Sequence, residues 1–113
     1  MTATVDFTAG QGETFDRTVT WEISDVAVNL TGYTARMQIR KTVKSTSAVV
    51  SLTSSSGLTL GGTAGTIQIV ISATATAALT AGRYVYDLEL VSAGGIVTRV
   101  IAGAFELTPE VTR

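Results

Sequence analysis

The sequence predicts an all-β chain, an immunoglobulin-like antiparallel β-sandwich of seven to eight strands, on three observations. Apolar and polar residues alternate with a period of two along most of its 113 residues, the spacing that lines up one set of side chains on one strand face. Thr and Ser make up about a quarter of the chain, and β-branched threonine favours strands over helices. The third observation is the segment Leu79-Thr-Ala-Gly-Arg-Tyr-Val-Tyr86-Asp-Leu-Glu-Leu90. A small-residue turn ending at Gly82 leads there into a strand with Tyr84, Tyr86, Leu88 and Leu90 on one face. A tyrosine just after such a corner caps a sandwich core with its ring, while its hydroxyl bonds back to the backbone of the turn. Tyr86 stands where an antibody domain has its second cysteine, and this chain has no cysteine at all.

The elements follow in order. Residues 3–9 read as a short first strand, closed by the turn Gly10-Gln-Gly12. Residues 13–24 alternate most clearly, with Phe15, Val19, Trp21 and Ile23 on one side and Thr14, Asp16, Thr18, Thr20 and Glu22 on the other. Asp25 to Gly32 is a connection. Residues 33–41 put Tyr33, Ala35, Met37 and Ile39 inward and Thr34, Arg36, Gln38 and Arg40 outward. A basic loop from Lys41 to Lys44 leads to a strand at about 47–53. A brief strand at 58–60 ends in Gly61-Gly62, and Ile67, Ile69 and Ile71 share a face of the next. Ser72 to Leu79 is alanine-rich, with a Ser or Thr able to cap it, and reads as one or two helical turns near 73–79, the one helix expected. Residues 83–92 and 96–108 pair as a hairpin through Ala93-Gly94-Gly95. In the last strand Val97, Ile101, Phe105 and Leu107 share one parity, and Val100, Ala102 and Ala104 the other. A bulge near Gly103 reconciles them; burial of both faces against a partner is the other reading. The core is expected to hold Phe15, Trp21, Ile69, Tyr84 and Leu88.

Composition narrows the function. A chain of this length, 1–113, reads as a single sandwich domain large enough to bury a core without staples. The absence of cysteine and histidine argues against thiolate metal sites and the commonest general base, and no cofactor is expected. Only 15% of residues are charged, the net charge is −1 and 45% are hydrophobic. Such a balance argues against binding nucleic acid. No run has the length of a membrane span, and Met1-Thr-Ala-Thr-Val lacks the pattern of a signal peptide. The apolar surplus must lie in the core or in contacts between subunits.

Candidate chemistry is sparse. Asp87 and Glu89 share the polar face of one strand. They read as a solvated pair or as ion-pair partners of a neighbouring strand or subunit, rather than as a glycosidic carboxylate pair. Arg17 and Arg99 each interrupt an apolar parity. Either they sit near strand ends and snorkel outward, the favoured reading, or they meet carboxylates at an interface. Gly61-Gly-Thr-Ala-Gly65 lacks the ending of a phosphate loop and reads as a β-turn. Asn29-Leu-Thr31 matches a glycosylation acceptor without a secretory context. Arg36, Arg40, Lys41 and Lys44 read as a solvated hairpin end, having no interleaved aromatics on which bases would stack. None of these signals makes an enzyme.

Several stretches carry a resemblance to a known family. They are Gly12-Glu-Thr-Phe15 with Trp21, Asn29-Leu-Thr-Gly-Tyr-Thr-Ala-Arg-Met-Gln-Ile-Arg40, Gly65-Thr-Ile-Gln-Ile69, Leu79–Leu90, Gly103 and Glu110-Val-Thr-Arg113. Across nearly its whole length the chain resembles the immunoglobulin-like N-terminal domain of phage baseplate upper proteins. The resemblance implies a non-enzymatic structural protein of a tailed-bacteriophage virion, assembled in the host bacterial cytoplasm. In that family the domain docks onto the tail and an elongated region follows it, whereas this sequence stops at Arg113. Two placements stay open, a tail or baseplate joining piece and a capsid decoration or cement protein. The partners implied are other virion proteins of the tail, baseplate or capsid, with homo-oligomers in the particle and neither nucleic acid nor membrane. The expected contact elements are residues 1–9, residues 108–113 and the edge of the last strand, with Arg17, Asp87, Arg99 and Arg113 as polar anchors. The alternative is a carbohydrate-binding or adhesion module on the same sandwich, which requires outward aromatic residues.

Overall fold

A computed structural model describes residues 2–112. Two sheets pack face to face. In the first, β10 (Gly82–Val91) runs antiparallel to both β11 (Val97–Thr108) and β6 (Thr34–Arg40), and β7 (Val50–Thr53) extends the sheet beyond β6. β1 (Ala3–Thr4) and β2 (Phe7–Gly10) pair in parallel with the far side of β11. The second sheet has the order β3 (Phe15–Thr20), β9 (Thr66–Ile71), β8 (Leu58–Leu60), all antiparallel. A separate two-residue ladder joins β4 (Glu22–Ile23) to β5 (Val26–Ala27). Among the described residues, eight strands have three or more residues and three segments have two. The expected helical turn is α1 (Ala73–Ala77), where the Ser72 hydroxyl accepts from the Ala75 amide at 3.1 Å.

Alternation decides what is buried. Along β6 the pattern exposes Thr34, Arg36 and Gln38 and buries Ala35, Met37 and Ile39. Along β10 it buries Tyr84, Tyr86, Leu88 and Leu90. The second sheet contributes Phe15, Leu58, Ile67, Ile69 and Ile71. Aromatic rings join the layers: Phe15 of β3 meets Phe105 of β11 at 5.2 Å and Phe7 of β2 at 5.3 Å, and Phe7 meets Tyr86 at 5.2 Å. Edge-on or tilted contacts of this kind add stabilisation beyond the area they bury.

The corner behaves as its sequence predicts. Tyr84 is buried and its hydroxyl donates to the Thr80 carbonyl at 2.6 Å. Two residues on, Tyr86 sends its hydroxyl across the molecule to the Val5 carbonyl at 2.5 Å. Val5 and Asp6 separate β1 from β2, so the first strand is broken where the sequence suggested one continuous piece. Val5 donates to the Ala102 carbonyl at 3.0 Å, and Asp6 Oδ1 accepts from the Ala104 amide at 2.9 Å. The break lies against Gly103, where a Cβ would stand 2.2 Å from the Val5 carbonyl oxygen. Only a residue without a side chain lets the backbones approach so closely.

Four further expectations are corrected. The irregularity of β11 falls at Val100, not near Gly103: Leu88 pairs with Ile101 and Glu89 with Arg99, leaving Val100 as the extra residue. Val100 and Ile101 are consequently both 5% exposed, and the apolar phase changes there. Over residues 101–108 β11 is not an edge, because β1 and β2 pair along that stretch. The strand read over residues 13–24 ends at Thr20, since its last ladder partner is Thr66. Beyond it Trp21 is only half-buried, packing edge-on against Tyr33 at 6.1 Å, and Ile23 is 59% exposed. Finally, residues 62–64 form a turn of 3-10 helix instead of a simple β-turn.

Three measurements check this account. Gly103→Ala should lose about 1–3 kcal/mol in denaturant unfolding, the usual cost of forcing atoms into a filled space. Phe15→Ala should lose about 3–5 kcal/mol, and Trp21→Ala distinctly less, because only part of that ring leaves water on folding. Burial, reinforced by the Asp6 carboxylate, pushes the Tyr86 phenol well above its ordinary value. Its neutral form is thus favoured by the folded state. That contribution is complete below the unfolded value of about 10 and declines as pH rises beyond it. The stability difference between the parent and Tyr86→Phe should therefore shrink from pH 9 to about pH 11. A constant difference across that range would contradict the assignment.

Candidate interaction surfaces

The outward face of the first sheet carries most of the polar residues singled out in the sequence. Adjacent strands bring opposite charges together: Arg36 of β6 meets Glu89 of β10 at 2.7 Å, and Arg99 of β11 meets Asp87 of β10 at 3.3 Å. The Asp87 and Glu89 carboxylates thus each take a guanidinium from a neighbouring strand. Arg99, the third residue of β11, lies near a strand end and remains largely exposed, as the favoured reading has it, and the carboxylate it meets belongs to its own chain. The guanidinium side chains remain 55% exposed in both pairs, so each pair contributes little, about 0–1 kcal/mol. Beside them lies an open depression of about 530 Å³ over Val85, Ala102 and Gly103, walled by Arg40, Val43 and Arg99.

Arg17 follows the snorkelling reading. It lies on the inward parity of β3, opposite Ile69, but β3 is the edge of its sheet. The side chain reaches solvent with its guanidinium 4.9 Å from the centre of the Phe15 ring, a cation–π contact that covers one side of a core aromatic. Arg113 lies outside the described residues. The basic group is dispersed: Arg36 is paired, Arg40 donates to the Ser45 carbonyl at 2.9 Å and to Gln38 at 2.8 Å, and Lys41 sits 4.8 Å from the Tyr84 ring. At the glycosylation-like triplet, Asn29 Oδ1 accepts from the Thr31 amide and hydroxyl at 3.0 and 2.7 Å, closing a local turn.

Strand register separates two ends of a body measuring 43 × 27 × 25 Å. Thr34 pairs with Val91, whereas Arg40 pairs with Val85 and Gly82 with Leu107. The first end gathers the chain around Trp21, the Gly62–Gly65 turn and the β10–β11 connection. Trp21 donates to the Gly65 carbonyl and Leu30 to that of Gly62, each at 2.8 Å. Here large aliphatic side chains stand in water: Ile23 is 59%, Val26 67%, Ile96 70% and Val97 49% exposed. Ser24 and Asp25 take φ values of 51° and 65° in the tight turn between Ile23 and Val26. At the other end, the corner between β6 and β7 leaves Val43 83% exposed.

These exposed aliphatics were missed in the sequence. Ile23 continues the alternation of the strand before it and reads as sharing a side with Phe15 and Val19, but the sheet has already ended at Thr20. The signal for a hairpin there was weak, since its turn is made of Ser24 and Asp25 without a glycine. Ile96 follows Gly94-Gly95 and offered a clearer sign, a bulky aliphatic at a turn.

No family model and no curated protein sequence matches the chain. Among solved structures it is similar to CopC from Methylosinus trichosporium OB3b, with 12% identity over 99% of this chain and 88% of that one, at a TM-score of 0.46. It is also similar to extracellular domains 3-5 of Drosophila OTK, with 20% identity over 95% of this chain and a TM-score of 0.37. In that comparison it spans 33% of the other chain. The chain itself is a β-sandwich, two mainly antiparallel sheets around one apolar core.

Proposed function

We propose that this chain is a non-catalytic structural subunit of a tailed-bacteriophage particle, working by contact with other particle proteins. It serves as a tail or baseplate joining piece or as a capsid decoration protein. One observation carries the reading: Ile23, Val26, Ile96 and Val97 all stand in solvent at one end of the sandwich, outside its buried core. Aliphatic side chains gathered on loop tips gain free energy when another protein covers them. The ion pairs of the outward face suit the same role, since they fix charges of both signs where a neighbour's polar rim would lie. The sequence resemblance to baseplate domains points to the particle.

A second reading, a carbohydrate-binding module, draws on the half-buried Trp21 and Tyr33 at the same end. Their rings stand at 83° to one another, so they offer no common platform for a sugar face, and the structural reading is preferred.

Immunogold labelling with an antibody to this chain should decorate purified particles at one fixed position. Removal of its gene should then give particles that assemble poorly or fall apart on mild heating. Unlabelled particles from a culture that expresses the chain would end this reading, and specific glycan capture by the isolated protein would favour the second.

A further inference from the structure

We infer that copies of this chain join head to tail, the β4–β5 tip of one subunit seating on the β6–β7 corner of the next. The inference rests on the structural-subunit reading and adds the partner, a second copy.

Each tip is a braced turn that presents exposed aliphatic and charged side chains. At the first, Ile23 and Val26 are ladder partners on either side of Ser24 and Asp25. At the second, Ser45 donates to the Thr42 carbonyl at 3.1 Å and its hydroxyl accepts from the Thr42 amide at 3.0 Å. Arg40 holds the Ser45 carbonyl at 2.9 Å, leaving Val43 and Lys44 at the apex. Both shapes are set before contact, which reduces the ordering cost of association.

The charges of the two tips are opposite. The segments 21–33, 61–65 and 92–96 contain Glu22 and Asp25 and neither lysine nor arginine. Residues 40–49 contain Arg40, Lys41 and Lys44 and no acid. Among the described residues, Glu22, Asp25 and Lys44 have no ion-pair partner. A two-fold contact through the first tip would set acid against acid. A translated copy sets Asp25 against Lys44 and Val26 against Val43, so the arrangement that matches both charge and hydrophobicity is heterologous. The acidic tip likewise argues against docking on an anionic membrane.

Sedimentation velocity on the purified full chain tests this. Association should grow with protein concentration and weaken with added salt. Asp25→Lys and Lys44→Glu should each raise the dissociation constant about tenfold or more. Mixing the two single variants, or combining both changes in one chain, should restore association, because opposite charges face each other again. Circular dichroism of each variant should match the parent, so that lost association is not mistaken for unfolding. A monomer at every concentration, single variants that associate like the parent, or a mixture that stays dissociated would overturn the contact. So would a parent chain that binds another particle protein through the β4–β5 tip but never itself. A monomeric chain found in labelled particles removes the head-to-tail contact and leaves the structural reading standing; a self-associating chain that no particle contains does the reverse.

Discussion

Two tyrosine hydroxyls on consecutive inward positions of β10 hold this sandwich in its closed form. Tyr84 ties the strand to the turn before it, and Tyr86 ties it to the first residues of the chain, 81 positions away. A disulfide does comparable work in many sandwiches by limiting the unfolded chain. Here the constraint acts in the folded state alone, and it needs a dry, filled surrounding to be strong. The rings of Phe7, Phe15 and Phe105 supply that surrounding, and the missing side chain of Gly103 gives the Val5 carbonyl its place. Packing and hydrogen bonding thus depend on one another at a single point of the molecule.

Much of this was legible because alternation and turn chemistry are local. The Tyr84 corner, the faces of β6 and the helical turn after Ser72 each follow from a few adjacent residues. What was illegible depends on partners distant in sequence. Nothing near Trp21 or Ile23 announces that β9 has no residue left to pair with them, so an unbroken alternation read as a longer strand. The phase change in β11 was visible, but its position was set by β10, whose Leu88 and Glu89 skip Val100. Gly103 drew notice as a bulge residue, yet its reason lies with Val5, nearly the whole chain away. The last strand read as an edge because parallel pairing of the first residues leaves no local mark.

The surface divides along the same line between local and distant causes. On the outward face of the first sheet, cross-strand register alone brings Arg36 to Glu89 and Arg99 to Asp87. Those charges are largely answered within the chain. The turns beyond the strand ends are different, since there side chains are presented outside the two main sheets. The face is thus close to electrically balanced, and the charges of Glu22, Asp25 and Lys44, unpaired among the described residues, lie beyond it.

The parallel seating of β1 and β2 on β11 also bears on how the polypeptide reaches its final form. Closing a loop between residue 3 and residue 101 is entropically costly, so this pairing forms late. Until it does, twelve residues of β11 offer a bare hydrogen-bonding border to any other partly folded copy. Dilute refolding favours the chain's own N-terminal segment in that competition, whereas crowded refolding favours strand exchange and precipitation.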